Sequence, residues 1–176
     1  APSGDNVRMP MTERPLVEVL VTGGAGFIGS NFVRWAHHAH PDWRITTLDK
    51  LTYAGRMENL KDVMDSPRHR FVKGDIADAA ISAPLVQAAN IVVHFAAETH
   101  VDRSIQAAGE FIHTDVFGTF VLLEAARQAP ALRRFVQIST DEVYGSVAEG
   151  HSRETDELRP RNPYSASKAG ADRLAY

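Results

Sequence analysis

Two carboxylates stand side by side in the stretch "STDEVYG", where Asp141 and Glu142 directly follow the hydroxyl of Thr140. Neighbouring carboxylates repel each other, and their desolvation costs free energy unless partners compensate. One interpretation is a turn in which both acids are hydrated, since acidic residues are common after strands. The other is an acid and a base placed together, so that one group donates a proton and its neighbour accepts one.

A second pair of reactive side chains lies further along the chain. Tyr164 and Lys168 are four residues apart on a predicted helix, so they share one face. A free tyrosine titrates near ~10 and is a poor base at neutral pH, but a nearby ammonium stabilises the phenolate. A solvated helix face is the alternative. Because Thr140 ends the preceding predicted strand, we predict that these residues form a catalytic base.

The stretch "VTGGAGFIGS" spaces Gly23, Gly26 and Gly29 three residues apart, between a predicted strand and a predicted helix. Glycines there permit a tight turn and bring backbone N–H groups against a pyrophosphate, although a simple strand–helix turn is the alternative. Asp49 ends the next predicted strand 20 residues after Gly29. An acid at that point holds a ribose diol and repels a 2′-phosphate. We therefore predict NAD rather than NADP, a preference that the adjacent cation of Lys50 weakens.

Two later segments also follow predicted strands. Asp75 and Ile76 in "KGDIAD" offer an adenine one polar and one apolar contact, or form a plain turn at the end of a strand. Ala96 and Ala97 in "FAAETHVDRS" are small enough for a cofactor to approach the backbone. His100 has no second ligand at metal spacing, so it is interpreted as a hydrogen-bonding residue and no metal site is predicted.

Five short segments rich in β-branched residues alternate with helical patterns; they cover residues 17–23, 44–49, 70–75, 90–97 and 134–140. Several are apolar without alternation, which is typical of parallel strands buried on both faces. The alternation predicts a doubly wound α/β sheet, with ligands at the carboxyl ends of its strands. The longest helical pattern has its expected apolar face at Phe111, Val116, Phe120, Leu123 and Ala126.

Composition excludes several classes of function. The chain of 176 residues has a formal net charge of −3 and no cysteine, which argues against nucleic-acid partners, disulfides and a thiol nucleophile. No signal peptide or long apolar run is seen, so we expect a cytoplasmic location and no membrane partner. The polar, proline-rich residues 1–15 are interpreted as a disordered leader or cloning remnant. Residues 16–176 form one predicted domain, cut within its last helix, which begins at Asn162 and Pro163.

The motifs "TGGAGFIGS", "LDKLTYAG", "GDI", "AAETHVDRS", "STDEVYG" and "YSASKAGAD" resemble the extended short-chain dehydrogenase/reductase family. Within that family, the paired acids of "STDEVYG" resemble the sugar-nucleotide 4,6-dehydratases. The resemblance covers residues 16–176. It implies a Rossmann-like domain that binds NAD, a homodimer, and a C-terminal substrate lobe that this chain does not include.

The resemblance also implies a role for each reactive residue. Tyr164 takes the proton from the glucose 4-hydroxyl, Thr140 helps to hold that hydroxyl, and Lys168 holds Tyr164 and the nicotinamide ribose. Glu142 removes the C5 proton as base, and Asp141 protonates the departing C6 hydroxyl as acid. The implied substrate is a nucleotide-activated glucose, dTDP-glucose in the first place, and the implied product is its 4-keto-6-deoxy sugar.

By the same resemblance, the cofactor contacts are Gly23, Gly26, Phe27, Ile28, Gly29, Asp49, Lys50, Leu51, Thr52, Asp75, Ile76, Phe95, Ala96, Ala97, Glu98, Thr99, Thr114, Tyr164 and Lys168. The substrate contacts are Thr99, Thr140, Asp141, Glu142 and Tyr164. Two residues depart from the expected pattern, since Thr99 replaces a serine and Asp115 replaces an asparagine.

Two other functions remain open at the level of sequence. An epimerase or decarboxylase of the same superfamily would share the glycine loop, but the pairing of Asp141 with Glu142 argues against it. A noncatalytic NAD-binding regulatory protein is the alternative from another class. Such a protein has no need of a phenolate, so the combination of Thr140, Tyr164 and Lys168 argues against it.

Overall fold

The computed structural model describes residues 16–176, so the predicted leader at residues 1–15 lies outside the described residues. Its centre is one parallel sheet with the strand order β3-β2-β1-β4-β5. The strands are β1 (Val17–Thr22), β2 (Trp43–Asp49), β3 (His69–Lys73), β4 (Ile91–His94) and β5 (Arg134–Gln137). The predicted doubly wound, Rossmann-like sheet is confirmed.

Six α-helices connect or flank the strands within residues 16–176: α1 (Phe27–Ala39), α2 (Ala79–Ala88), α3 (Val101–Gln106), α4 (Ala108–Phe111), α5 (Thr119–Arg127) and α6 (Pro163–Ala175). A π-helical segment, Ile112–Gly118, joins α4 to α5, and 3₁₀ turns occupy Met57–Leu60 and Asp141–Tyr144. No helix in this range combines the length and the hydrophobicity that crossing a bilayer requires.

The core lies on both faces of the sheet, which explains the nearly continuous apolar strands. Val19 and Val21 of β1 pack on one face with Val33 of α1. Leu20 points to the opposite face, where it packs with Leu122 of α5. The period of two along a strand sends successive side chains to the two layers, so each layer buries alternate residues of β1.

The strand order places a crevice at the carboxyl ends of β1 and β4. The chain adds β2 and β3 on one side of β1 and then crosses to the other side to form β4. Val21 of β1 is in register with Thr47 of β2 and with Val93 of β4. Connections that leave β1 and β4 in opposite directions open a crevice between them, which is where ligands bind in such sheets.

The predicted apolar face of the long helical pattern is wrong in part. Phe111 is buried, but Phe120 is 44% exposed, and the buried residues of α5 include Val121, Leu122 and Ala125. A turn of π-helix contains more residues than a turn of α-helix. The π-helical segment therefore rotates the residues after it, and a regular period cannot be extended from Phe111 across it.

The glycine loop provides a direct test of this packing. A Cβ on Gly29 would collide with the carbonyl oxygen of Gly23, whereas a Cβ on Gly109 of α4 would meet nothing within 4 Å. Gly29→Ala should lower the free energy of unfolding by about 1–3 kcal/mol, because overpacking displaces backbone. Gly109→Ala is the matched control and should be neutral or slightly stabilising. Urea unfolding of both variants measures the difference, and equal midpoints would contradict the packing described.

Candidate active site

A cleft of about 300 Å³ opens at the carboxyl edge of the sheet. Most of the residues predicted to contact a cofactor line it: Gly23, Gly26, Phe27, Ile28, Gly29, Asp49, Lys50, Thr52, Ile76, Phe95, Ala96, Ala97, Glu98, Thr99, Thr114, Tyr164 and Lys168. These residues include the ends of several strands and the helix of Tyr164, so the fold brings separate sequence motifs together in the lining of one cleft.

Two of the predicted contacts, Leu51 and Asp75, lie outside the lining of the cleft. Leu51 has a left-handed backbone with a φ of +56°, and its N–H donates to Asp49 Oδ1 at 2.8 Å. Asp75 accepts from Lys50 Nζ at 2.6 Å and from the Ala77 N–H at 2.9 Å. Burial favours the neutral form of Asp75, but these bonds prevail and lower the pKa of its carboxyl group. Both residues therefore support the neighbours that reach the cleft.

Sequence reasoning missed six residues that line the cleft: Leu48, Ala54, Gly55, Gly74, Ile138 and Ser139. Leu48, Gly74, Ile138 and Ser139 lie at or just beyond the carboxyl ends of strands. That position is the signal that could have identified these four, because ligands collect at that edge of a parallel sheet. Gly55 carries a different signal, since a Cβ there would meet Asp49 Oδ1 at 2.6 Å.

The glycine loop packs backbone against backbone. Gly23 has a φ of +67°, and a Cβ on it would lie 2.5 Å from the amide nitrogen of Ala96. Helix α1 begins at Phe27 with Gly26 as its N-cap, and Gly26 supplies no side-chain hydrogen bond to the first turn. Backbone N–H groups of a first helical turn have no partner within the helix. The start of α1 therefore offers the cleft a site for an anion.

Asp49 anchors the same loop. Its side chain is almost fully buried, with Oδ2 accepting from the Ala25 N–H at 2.9 Å and Oδ1 accepting from the Leu51 N–H at 2.8 Å. Each carboxylate oxygen has a second lone pair, so the acid can still accept from a ligand hydroxyl in the cleft. The sequence indicated the ligand role alone, because the contact with Ala25 joins residues that are distant along the chain.

Tyr164 and Lys168 extend from α6 into the cleft. Lys168 is buried, and its Nζ donates to the carbonyl oxygen of Ile138 at 2.6 Å. Burial lowers the pKa of Lys168, while the charges of Asp115 and Asp172 oppose that change. Burial also raises the pKa of Tyr164, which a hydrogen bond with Thr140 partly offsets. The predicted lowering of the pKa of Tyr164 is therefore wrong for this structure, since burial raises that pKa instead.

The two adjacent acids begin the 3₁₀ turn after β5 and have different surroundings. Asp141 is exposed and accepts from Thr140 Oγ1 at 3.3 Å. Glu142 is half-buried, and its Oε2 accepts from Asn162 Nδ2 at 3.0 Å. The backbone N–H of Glu142 donates in turn to Thr140 Oγ1 at 3.3 Å. Each carboxylate therefore has its own partner, and only one of them is held away from bulk water.

Asn162 joins the paired acids to the helix of Tyr164. As the predicted N-cap of α6, it accepts from the Ser165 N–H through Oδ1 at 2.7 Å. Its Nδ2 donates to Glu142 at 3.0 Å, so one amide both begins the helix and orients the acid. The sequence predicted the cap, but nothing local to Asn162 indicated the bond to Glu142, which lies 20 residues earlier.

A chain of buried hydrogen bonds runs beneath the cleft. Thr119 Oγ1 donates to the backbone carbonyl of Asp115, so it accepts from His94 Nε2 at 3.0 Å. His94 Nδ1 is then the acceptor for Thr22 Oγ1 at 2.6 Å, and Thr22 accepts from the Ala96 N–H. Burial lowers the pKa of His94 to about 3, which keeps the ring neutral. The chain connects β1 and β4 to the helices that flank α6.

Comparison with known proteins agrees with the fold described above. Residues 20–176 match the family described as GDP-mannose 4,6 dehydratase. The low-salt glycan biosynthesis protein Agl12 of Haloferax volcanii is 57% identical over 158 residues, which cover 90% of this chain and 50% of the relative. A dTDP-glucose 4,6-dehydratase of Mycobacterium tuberculosis is 51% identical over 161 residues, which cover 90% of this chain and 47% of the relative.

A solved structure has the same architecture. DesIV, a dTDP-glucose 4,6-dehydratase from Streptomyces venezuelae solved with NAD bound, has a TM-score of 0.86 and 51% sequence identity, covering 90% of this chain and 50% of DesIV. The chain thus spans about half the length of the relatives it matches. The resemblance drawn from the sequence motifs is confirmed. On the family match over residues 20–176, the chain belongs to the GDP-mannose 4,6 dehydratase family.

Proposed function

We propose that this chain carries the NAD-binding and catalytic part of a sugar-nucleotide 4,6-dehydratase whose substrate is dTDP-glucose. One observation carries the proposal. Asp141 accepts a hydrogen bond from Thr140, and Glu142 accepts one from Asn162. Both of these partners lie next to Tyr164, which belongs to α6. A base for oxidation and an acid–base pair for elimination therefore belong to one connected centre. Relatives at about half identity that are named dTDP-glucose 4,6-dehydratase support the choice of substrate.

The cleft fits NAD as the cofactor. The backbone of Gly23 and Gly29 leaves no room for a Cβ, and the open first turn of α1 suits a pyrophosphate. Asp49 is placed for a ribose diol. Lys50 is already paired with Asp75, so its charge is not free to neutralise a 2′-phosphate, which favours NAD over NADP. When bound, NAD would accept a hydride from C4 of the sugar and return it to C6.

Oxidation at C4 requires removal of the proton from the 4-hydroxyl. Tyr164 is the base in this proposal. Thr140 Oγ1, which donates to Asp141 Oδ1, would turn its single proton toward the 4-oxygen of the bound sugar. Lys168 is buried beside them, and its positive charge favours the phenolate once Tyr164 gives up its proton. Because burial raises the pKa of Tyr164, the phenolate forms only when substrate and neighbouring charge stabilise it.

Elimination across C5 and C6 uses the two acids differently. Glu142, half-buried and oriented by Asn162, acts as the base that removes the C5 proton. Asp141, exposed and bonded to Thr140, acts as the acid that protonates the leaving C6 hydroxyl. Their separate partners keep the two carboxyl groups in different surroundings. The assignment of Glu142 as base and Asp141 as acid follows the resemblance to the sugar-nucleotide 4,6-dehydratases.

The rival functions make different demands on the same residues. An epimerase of this superfamily needs the Tyr164 base but does not expel the C6 hydroxyl, so a second acid beside Glu142 would have no task. A noncatalytic NAD-binding protein needs neither Tyr164 nor the costly burial of Lys168. The arrangement of Asp141, Glu142 and Asn162 therefore favours the dehydratase.

A homodimer and a cytoplasmic location stay predictions. The exposed aromatic side chains of Phe117 and Phe120 lie 6.1 Å apart by ring centroids on the outer side of the π-helical segment and α5. We propose this surface as the place where a second copy packs, since α6 covers the other side of that segment. Sedimentation of the full-length protein tests the dimer, and a monomer at micromolar concentration would contradict it.

The cofactor assignment predicts NAD as the dominant dinucleotide extracted from the purified full-length protein. Asp75→Asn should release Lys50 and raise the affinity for NADP relative to NAD by about two- to fivefold, the worth of an exposed ion pair. Adding Lys50→Ala to that variant should return the affinity for NADP relative to NAD to the wild-type ratio. Dinucleotide titration measures both variants. NADP as the dominant bound species would contradict the assignment.

The paired acids yield the sharpest prediction for the reaction. Tyr164→Phe should prevent even the first hydride transfer, so no NADH absorbance develops on mixing with dTDP-glucose. Asp141→Asn and Glu142→Gln should still allow that absorbance and then stall, with turnover lower by about 10²–10⁴-fold. Glu142→Gln should also slow exchange of the C5 proton with deuterated solvent, whereas Asp141→Asn should mainly slow loss of water.

The matched control for these variants is Glu149→Gln, an exposed acid of the following loop. It should turn over at the wild-type rate. If Asp141→Asn and Glu142→Gln also dehydrate at the wild-type rate, the two acids are turn residues and the dehydratase assignment fails.

A further inference from the structure

The loop after β2 reaches across the carboxyl edge of the sheet to the loop after β4. Tyr53, in the first loop, has its hydroxyl oxygen 3.2 Å from both the carbonyl oxygen and the Oγ1 of Thr99, in the second. When the phenol donates to the carbonyl oxygen, the Thr99 hydroxyl can donate to the phenol oxygen in return. Because β1 lies between β2 and β4 in the sheet, this bridge passes over the carboxyl end of β1.

Two neighbours hold the ring of Tyr53 in this position. Arg103 of α3 stacks on the ring, with its Cζ 3.7 Å from the ring centroid, and the His100 ring lies 6.1 Å away. A cation–π contact of this kind favours one placement of the ring. His100, directly after Thr99, has a φ of +76°, which residues with a side chain seldom adopt. Such strain persists where surrounding contacts hold it, and it is common at ligand sites and switches.

The segment that carries Tyr53 is fixed at its two ends. The Leu51 N–H donates to the last residue of β2 at 2.8 Å, and the Arg56 N–H donates to the Ala25 carbonyl of the glycine loop at 3.1 Å. Residues 51–56 therefore form a strap with anchored ends and an exposed middle. The bridge from Tyr53 is what ties that middle to the other side of the cleft.

The bridge lies between two cavities. Thr99 lines the cofactor cleft, whereas Tyr53 lines a second cavity of about 420 Å³. The two cavities are adjacent, because four residues line both of them: Lys50, Thr52, Glu98 and Thr114. Breaking the hydrogen bonds between Tyr53 and Thr99 would therefore join the cleft to the second cavity.

A dinucleotide needs an opening of this kind. The cleft of about 300 Å³ is at the low end of the range of about 300–1,000 Å³ for small-ligand sites, and a dinucleotide is a large ligand. The glycine loop is a tight wall, because it packs backbone against backbone at Gly23 and Ala96. The middle of the strap is exposed, and exposed segments with few buried contacts open at the lowest free energy. The strap is therefore the wall that can yield.

We propose that the Tyr53–Thr99 bridge is a gate for cofactor exchange. Closed, it keeps the dinucleotide in the cleft; open, it joins the cleft to the second cavity, through which the dinucleotide enters and leaves. Tyr53 acts through Thr99 and the strap rather than by binding the cofactor, and Arg103 stabilises the closed position. The gate requires a dinucleotide in the cleft but not the dehydratase reaction, so the two can be tested separately.

A gate has a kinetic signature that a binding contact lacks. Breaking the bridge raises the open fraction of the protein both with and without the dinucleotide, so association and dissociation accelerate together and Kd barely changes. Losing a contact with the cofactor would instead accelerate dissociation and raise Kd, with association unchanged. Losing a merely structural contact would lower the midpoint of urea unfolding and leave both rates as they were.

Stopped-flow fluorescence of NADH measures both rates on the full-length protein, stripped of bound dinucleotide and without sugar substrate. Tyr53→Phe removes only the hydroxyl and should raise both rates by about three- to tenfold, as loss of one net hydrogen bond would, with Kd changed by less than about twofold. Arg103→Met removes the cation but keeps a long side chain, and should raise both rates by about two- to fivefold.

The matched control is Tyr176→Phe. The Tyr176 ring also lies near an arginine, with Arg173 Cζ 6.0 Å from its centroid, but it is fully exposed and lines neither cavity. This variant should exchange NADH at the wild-type rates.

Unchanged rates in Tyr53→Phe would overturn the gate, and so would faster dissociation with unchanged association. Should Tyr53→Phe not fold, Arg103→Met decides, since its two rates must rise together. A wild type that binds no dinucleotide would refute both the gate and the cofactor assignment. Exchange that accelerates as predicted, in a protein that does not dehydrate dTDP-glucose, would uphold the gate and refute the proposed function.

Discussion

The close approach of two backbone segments at the carboxyl edge of the sheet is the constraint on which the site depends. The Gly23 N–H donates to the Leu48 carbonyl at 2.8 Å, and no Cβ fits between Gly23 and Ala96. Asp49, at the end of β2, also holds the glycine loop, because its side chain accepts a hydrogen bond from the Ala25 N–H. Contacts with β1, β2 and β4 hold the loop in this turn, and the first turn of α1 lines the cleft. A rigid wall of bare backbone is what allows a pyrophosphate to bind without flexible side chains.

The reactive side chains are held in a different way, by hydrogen bonds between α6 and the residues that follow β5. Asn162 begins α6 and holds Glu142, while Lys168 further along α6 donates to Ile138 beyond β5. Two contacts thus fix the distance between the paired acids and Tyr164. Asp115 adds a third contact from the π-helical segment, which reaches α6 from the opposite side. A centre defined by three separate elements can keep its geometry while protons move within it.

Much of this arrangement follows from local sequence, and the rest follows from contacts between distant residues. Strand runs, the glycine loop and the Asn162 cap were predictable, because each depends on residue types within a few positions. The partner of Glu142, the anchoring role of Asp49 and the bond from Lys168 to Ile138 were not, since each joins residues 20 or more positions apart. The apolar face predicted for the long helix was wrong beyond the π-helical segment, because the extra residue of a π-helical turn rotates the side chains that follow it.

The central claim is that the paired acids perform an elimination between two hydride transfers at one sugar. dTDP-glucose carrying deuterium at C4 tests it most directly, when the full-length protein is supplied with unlabelled NAD and the product is analysed by mass spectrometry and NMR. The proposed function predicts that the product has lost one water and retains the deuterium, which has moved to C6. A product of unchanged composition, as an epimerase would give, or deuterium retained at C4, would contradict it.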